Sequence, residues 1–98
     1  MAKLEYRKLS AKEIEEGLAG LSGWSVEGDA IAKSFEFAQY QEGLVFASAV
    51  GLLADRLDHH PDLTIGYKKV KVSVTTHATN GLSPYDMELA RRIERLGG

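Results

Sequence analysis

Two of the three histidines in this chain are adjacent to each other. Residues 58–62 read Asp-His-His-Pro-Asp, and the third histidine is His77. Histidine side chains exchange protons near neutral pH, so a pair of them at one place suits general acid and base catalysis. The residue before a proline avoids helical backbone angles, so a helix that reaches this segment should end at Asp58 or His59. The two imidazoles would then leave the backbone in different directions.

Several carboxylates accompany the histidines. Asp55 precedes His59 by four residues, so on a helix the two side chains can pair. Asp58 flanks the histidines directly, and a helix C-terminus favours a protonated histidine. Asp86 has the helical spacing i, i+3, i+7 with two apolar residues of the last helix, so we expect its side chain to point inward. The sequence therefore predicts histidines that carboxylates pair with or orient.

Other chemistries have less support. Three histidines and a carboxylate could hold zinc or a non-haem iron, but adjacent side chains diverge and no His-x-His pair shares one strand face. The chain has no cysteine, so thiolate catalysis and cysteine-type zinc sites are excluded. Neither a Gly-x-Ser-x-Gly elbow nor a glycine-rich phosphate loop occurs. A purely structural alternative is that the histidines are polar residues at a helix end.

The composition is that of an ordinary globular domain. The 98 residues are 44% hydrophobic and 27% charged, and the net charge is −2. So small a charge does not favour nucleic acid or an anionic membrane as a partner. No apolar segment approaches the ~20 residues of a membrane-spanning helix, and the first ten residues lack the apolar core of a signal peptide. We expect one domain over residues 1–98, located in the cytoplasm.

Local patterns predict the elements that would position these side chains. They are a helix after a capping box at Ser10, a hairpin over residues 23–37, a helix over 39–58, a hairpin over 63–77 and a helix that begins at Ser83. The order α-β-β-α-β-β-α predicts an α+β fold, in which three helices cover one face of a four-stranded antiparallel sheet. If the last strand stays regular, His77 lies at its end, on the face away from the core.

The helix over residues 39–58 carries two apolar stripes. The first consists of Phe46, Val50, Leu53 and Leu57, and the second of Val45, Ala49 and Leu52. A helix that is apolar over so much of its circumference is usually buried on two sides. In so small a domain we expect a second subunit to cover the second stripe.

Residues 54–90 resemble the signature region of the pterin-4a-carbinolamine dehydratases. The pattern is an acid, three residues, His-His-Pro, an aromatic residue, Thr-His, Gly-Leu-Ser and an Asp in the last helix. The matching residues are Asp55, His59, His60, Pro61, Tyr67, Thr76, His77, Gly81, Leu82, Ser83 and Asp86. The resemblance extends over residues 9–96. It departs from the family pattern at Leu63, where an aromatic residue is common, and at Asp55, where Glu is common.

The resemblance implies a reaction in which a 4a-hydroxytetrahydropterin loses water and becomes the quinonoid dihydropterin. It implies that no metal and no other cofactor is needed, because the reaction consists of proton transfers. On this basis His59 and His77 are the expected acid and base, and His60 is expected to position the pterin. Residues expected to support the site or contact the pterin ring are Asp55, Asp58, Pro61, Thr76, Asp86 and Trp24.

The resemblance also implies partners. Members of the family form homodimers or homotetramers, and their substrate arises where an aromatic amino-acid hydroxylase uses a tetrahydropterin. Some relatives are dimerisation cofactors of a transcription factor, so a non-catalytic interaction module is the main alternative. Another pterin-linked role, in an organism without the hydroxylase, is a further alternative.

Overall fold

The computed structural model describes residues 4–97, and these residues form three α-helices and four strands. The elements are α1 (Ala11–Ala19), β1 (Ser25–Glu27), β2 (Ala30–Glu36), α2 (Tyr40–Leu57), β3 (Asp62–Gly66), β4 (Lys69–Val74), a 3-10 turn (His77–Thr79) and α3 (Pro84–Gly97). All pairs in the sheet are antiparallel and the strand order is β1-β2-β4-β3. The predicted α+β fold and element order are confirmed.

The core lies on the face of the sheet that the helices cover. The valines of β4, at residues 70, 72 and 74, are completely or almost completely buried, and Ile31 of β2 is buried opposite Val74. Helix α2 approaches this face closely at Gly43, where an added Cβ would lie 3.3 Å from a methyl group of Val70. The alternation predicted for the two central strands therefore places their apolar residues correctly.

Lys33 interrupts the apolar face of β2, as its position in the sequence predicts. Its ammonium lies 2.9 Å from the carboxylate of Glu94 on α3 and donates to the carbonyl oxygen of Ser22. Trp24 donates its indole N–H to the same carboxylate at 3.1 Å. This partly buried cluster satisfies the lysine at the edge of the core, so the face is not apolar along its whole length.

The chain after β4 departs from the predicted regular strand. The strand ends at Val74, and Thr76 then forms an isolated bridge with Gly81 while its side chain is buried. His77 begins the 3-10 turn, in which its carbonyl oxygen accepts from the N–H of Asn80 at 3.1 Å. The strand stops early because the turn closes the backbone hydrogen bonds locally, and His77 is exposed on this turn rather than on a strand.

The two stripes of α2 have different environments. In the first stripe Phe46 and Val50 are buried and Leu53 and Leu57 are partly buried against the core, whereas Val45 and Leu52 of the second are 64% and 61% exposed. Within residues 4–97, no helix has the length and the apolar character that crossing a bilayer requires.

Candidate active site

The end of α2 turns His59 toward the core. Asp58 follows the helix in the left-handed conformation, with φ 53°. The N–H of Asp58 donates to the carbonyl of Asp55, and the N–H of His59 reaches back to Ala54 at 3.0 Å. These two bonds form a Schellman motif, which usually has glycine at the left-handed position. The predicted end of the helix at residues 58–59 is confirmed, and the motif sets the direction of His59.

His59 meets a buried carboxylate from the last helix. Its Nε2 lies 2.6 Å from Oδ1 of Asp86, and the Asp86 side chain is completely buried. The predicted inward orientation of Asp86 is confirmed. The hydroxyl of Thr76 and the backbone N–H of Ser83 both donate to Oδ2 of the same carboxylate, at 2.7 and 2.9 Å.

The hydrogen bonds of this network use each proton once. The N–H of Tyr85 donates to the Ser83 hydroxyl, which lies 2.7 Å from the Thr76 hydroxyl and can donate to it. Thr76 then donates its own proton to Asp86. An ionised Asp86 is acceptor-only, so its remaining oxygen accepts from Nε2–H of His59. The network thus assigns the proton of a neutral His59 to Nε2 and its lone pair to Nδ1.

Nδ1 of His59 is the nitrogen that could reach a substrate. Both hydrogen bonds of the imidazole, to Asp86 and Thr76, use Nε2. Within residues 4–97, every fully buried polar side-chain atom has a hydrogen-bond partner. Nδ1 therefore belongs to the small part of His59 that solvent can touch.

His60 pairs with a carboxylate at the surface. Its Nε2 lies 2.9 Å from Oδ1 of Asp55, and both side chains are more than half exposed. Asp55 thus pairs with His60. The pairing with His59 that the helical spacing of four residues predicts is wrong. The reason is that the left-handed turn at Asp58 carries His59 inward and leaves its neighbour on the side of α2 where Asp55 lies.

The bridge between Thr76 and Gly81 brings His77 to the same end of the domain. Thr76, the residue before His77, lies 3.4 Å from Nε2 of His59 through its hydroxyl. His77 itself is exposed at the start of the 3-10 turn. The fold therefore gathers the three histidines from two distant segments, with one imidazole buried and two exposed.

The remaining predicted site residues, Pro61, Asp58 and Trp24, differ in how far they are buried. Pro61 is partly buried between His60 and the start of β3, and Asp58 is exposed at the helix end. Trp24 is buried beside Phe35, with ring centroids 6.1 Å apart, and is bonded to Glu94. These contacts place Trp24 in the core cluster around Lys33, so a role in contacting the pterin stays a prediction.

Sequence reasoning missed the part that Ser83 and two tyrosines play around the site. Ser83 was expected only to cap α3, but its side chain also bonds to Thr76. Tyr85 lies against the His59 imidazole, with ring centroids 5.6 Å apart, and Tyr6 stacks on Tyr85. The Ser-x-x-Asp spacing was the available signal for Ser83; the tyrosines lie too far from the histidines in sequence to give one.

Two concave surfaces of the domain lie away from the histidines. One of about 490 Å³ lies along the first half of α2, lined by Phe37, Val45 and Leu96 among others, and one of about 270 Å³ lies between α1 and the start of α3. Over residues 4–97, no three His, Asp or Glu side chains converge as metal ligands would. The histidines are arranged instead as separate imidazole–carboxylate pairs and one exposed imidazole.

A model of the family described as "Pterin 4 alpha carbinolamine dehydratase" matches residues 7–96. The chain belongs to this family. The pterin-4a-carbinolamine dehydratases are hydro-lyases, and the match includes every residue of the histidine network. The resemblance seen in residues 54–90 is therefore confirmed over almost the whole chain.

Individual dehydratase relatives agree with this assignment. Proteins of Sulfurisphaera tokodaii and Natronomonas pharaonis, both named by inference as pterin-4-alpha-carbinolamine dehydratases, are each 43% identical to this chain. The first match covers 92% of this chain and 97% of the relative, and the second covers 91% and 95%. The relatives and this chain thus align over nearly their full lengths.

Solved structures give the same fold. A transcriptional coactivator/pterin dehydratase from Brucella melitensis superposes with a TM-score of 0.88 at 35% identity, over 94% of this chain and 100% of that chain. A pterin dehydratase-like RuBisCO assembly factor of the alpha-carboxysome superposes over 76% of this chain and 87% of that chain, with a TM-score of 0.64. At 21% identity the second match shows the dehydratase fold alone.

Proposed function

We propose that this protein dehydrates a 4a-hydroxytetrahydropterin to the quinonoid dihydropterin, with histidines as general acid and base. The observation that carries the proposal is the buried His59–Asp86 pair, which occupies Nε2 of His59, while Nδ1 makes no hydrogen bond to the described residues. His60 follows His59 directly, and His77 follows Thr76, whose hydroxyl lies 3.4 Å from Nε2 of His59; both histidines are exposed. Membership of the dehydratase family supplies the substrate class.

His59 is the base in this proposal. Because Nε2–H donates to Asp86, the neutral imidazole has its lone pair on Nδ1, the nitrogen that bonds to neither Asp86 nor Thr76. Nδ1 takes the proton from N5 of the pterin, and the electron pair released forms the double bond between N5 and C4a. Asp86 then stabilises the imidazolium, the role that a buried carboxylate has beside a catalytic histidine in hydrolases.

His77 is the acid. The bond between C4a and the hydroxyl oxygen breaks as the double bond forms, and the departing hydroxyl takes a proton from the His77 imidazolium to become water. An exposed imidazole near neutral pH can regain its proton from solvent between turnovers. His60, paired with Asp55, orients the pterin ring.

The test follows formation of the quinonoid dihydropterin by absorbance from freshly generated 4a-hydroxytetrahydropterin. His59→Gln and His77→Ala should each lower turnover about 10²- to 10⁴-fold, the usual contribution of a positioned acid or base. His60→Gln should mainly raise KM, because a positioning group contributes to binding. Lys12→Gln, an exposed substitution on α1, is the matched control and should have parental turnover.

Two results would contradict the proposal. Failure of the folded parent chain to accelerate the reaction would exclude the dehydratase activity and favour an interaction module. A loss below threefold in His77→Ala or His59→Gln would exclude the corresponding residue from proton transfer.

We further propose that the protein is a homo-oligomer. The second stripe of α2, with Val45 and Leu52 more than 60% exposed, is an apolar surface that a second copy can bury. The large groove beside it is lined by the same residue Val45 and by Phe37 and Leu96. A homodimer or homotetramer is the expected form, and the physiological substrate would come from an enzyme that hydroxylates with a tetrahydropterin.

A further inference from the structure

A row of aromatic rings lies against the imidazole of His59. The ring of Tyr85 is 5.6 Å from the His59 ring, centroid to centroid, and the planes are tilted by 44°. Tyr6 stacks on the same tyrosine at 4.2 Å, with an interplanar angle of 17°. The proposed reaction uses neither tyrosine. We define these two residues as the tyrosine pair.

Both ends of the chain hold the tyrosine pair in place. Tyr85 is the second residue of α3, directly before Asp86, and its N–H is fixed by the Ser83 hydroxyl. The segment with Tyr6 is fixed by the backbone bond from Leu9 to the carbonyl of Leu82 at 2.7 Å. The stack therefore joins the N-terminal segment to the element that supplies Asp86.

Tyr6 also lies near the turn that orients His59. Desolvation raises the pKa of Tyr6 above its ordinary value, and the neighbouring Tyr85 and the negative charge of Asp58 act in the same direction. Asp58 is the left-handed residue directly before His59. The tyrosine pair thus lies beside His59 through Tyr85, and the phenol of Tyr6 lies within reach of the charge at Asp58.

We propose that Tyr85 is a positioning residue for His59, with Tyr6 as its support. A flat ring beside an imidazole restricts rotation of that imidazole, and it excludes water from the bond between Nε2–H and Asp86. Tyr85 would thereby keep Nδ1 directed at the substrate. The effect on catalysis rests on the proposed function, in which His59 is the base. The restriction of the His59 ring and the protection of its Nε2 proton do not depend on that function.

The experiment measures proton exchange with water at Nε2 of His59, in full-length protein with ¹⁵N-labelled histidine and without substrate. The chain has three histidines, so the signals can be assigned with single His→Gln variants. Tyr85→Ala should accelerate exchange of the Nε2 proton about tenfold or more, and Tyr6→Ala should accelerate it less. Tyr85→Phe keeps the ring and should preserve the parental rate.

Turnover provides the second readout. In Tyr85→Ala we expect kcat to fall about tenfold with KM nearly unchanged, because a displaced base affects the chemical step and not binding. Tyr85→Phe should restore kcat. Lys12→Ala, an exposed substitution on α1, is the control for both readouts.

The outcomes separate this proposal from the proposed function. Faster exchange in Tyr85→Ala without any dehydratase activity in the parent would support the positioning role and exclude the activity. Parental exchange in folded Tyr85→Ala, or no slowly exchanging Nε2 proton in the parent, would overturn the positioning role whatever the activity is. If Tyr85→Ala does not fold, Tyr85→Leu keeps the apolar volume without the ring, and parental exchange in that variant would overturn it equally.

Discussion

Asp86 is the residue on which the hydrogen bonds of the site converge. Its two oxygens accept from His59, Thr76 and the backbone of Ser83, and none of its side chain reaches solvent. A buried polar network of this kind is stable only when every member is satisfied. The same carboxylate that completes the core also selects the tautomer of His59, so stability and chemistry depend on one side chain.

Asp86→Asn should therefore affect both the stability of the fold and the rate of turnover. The amide has only one oxygen, so either His59 or the Thr76–Ser83 side would face an NH₂ group. We expect turnover to fall about 10²- to 10⁴-fold because the His59 tautomer is no longer fixed, and the free energy of unfolding to fall by about 1–3 kcal/mol. Turnover assays and urea denaturation measure the two effects.

Asp29→Asn, at an exposed aspartate in the β1–β2 turn, is the matched control for Asp86→Asn. Parental turnover in folded Asp86→Asn would show that the carboxylate is not needed for the His59 tautomer.

At the scale of elements, the end of α2 determines where both adjacent histidines point. A non-glycine residue in the left-handed conformation is unfavourable, although aspartate tolerates it better than most residues. Asp58 thus has two roles: it adopts the left-handed backbone conformation, and it places a carboxylate beside the site. Substitutions can separate these two roles.

Asp58→Gly should raise the free energy of unfolding by up to about 1 kcal/mol, because glycine has no Cβ to strain at φ 53°. Asp58→Ala should lower it by about 1 kcal/mol for the opposite reason. Both variants lose the carboxylate, so an equal change in turnover assigns that change to the charge. Equal stabilities, measured by urea denaturation, would show that the turn is not strained.

The start of α1 is stabilised by an ionised capping box. Glu13 accepts from the backbone N–H of Ser10 at 3.0 Å and from the guanidinium of Arg7 at 2.8 and 3.0 Å. The hydrogen bond with Arg7, followed by that from the Ser10 backbone, lowers the pKa of Glu13 from 4.5 to about 2. The ionised form is therefore bound more favourably in the folded chain than in the unfolded chain.

Because the pKa is lower in the folded state, Glu13 contributes stability that is complete above pH 4.5 and is lost as the pH falls toward about 2. Glu13→Gln keeps the capping oxygen but has no charge. We expect parent and variant to differ most in unfolding free energy above pH 4.5 and to converge toward pH 2. Denaturation with urea at several pH values measures this. A pH-independent difference would contradict the assignment, and Glu16→Gln on the same helix is the control.

At the scale of the whole molecule, α2 presents an apolar surface that the single chain leaves uncovered. Exposed large apolar residues along α2 include Tyr40, Leu44, Val45 and Leu52. A contiguous apolar surface on a small domain usually marks an interface. The helix is held in place by its buried stripe, so its outer stripe can be changed without removing core contacts.

Leu52→Glu should therefore dissociate the proposed oligomer and leave the fold intact. A charge in an apolar interface is costly to bury, so light scattering should give a multiple of the monomer mass for the parent chain and the monomer mass for the variant. Ala11→Glu, at an exposed position on α1 and not on this surface, tests whether added charge alone matters. A monomeric parent would exclude self-association through this surface.

Much of the fold followed from short-range patterns. The capping box after Ser10, the valine alternation of β4 and the proline after His60 each act within a few residues, and the structure confirms the elements that they predict. The inward orientation of Asp86 also followed from helical spacing. What these patterns could not supply was the conformation of residues 75–81, where a bridge and a 3-10 turn replace a regular strand.

The sequence by itself determined the elements, the family and the presence of three histidines with carboxylates near them, because these depend on local spacing and residue type. Only the tertiary structure decided the pairing, in which Asp86, 27 residues along the chain, holds His59 and Asp55 holds His60. It also placed Tyr6 and Tyr85 beside the site. The physical reason is that one left-handed residue at the end of α2 rotates the next side chain inward, and its partners there come from elements that meet it only when the core is packed.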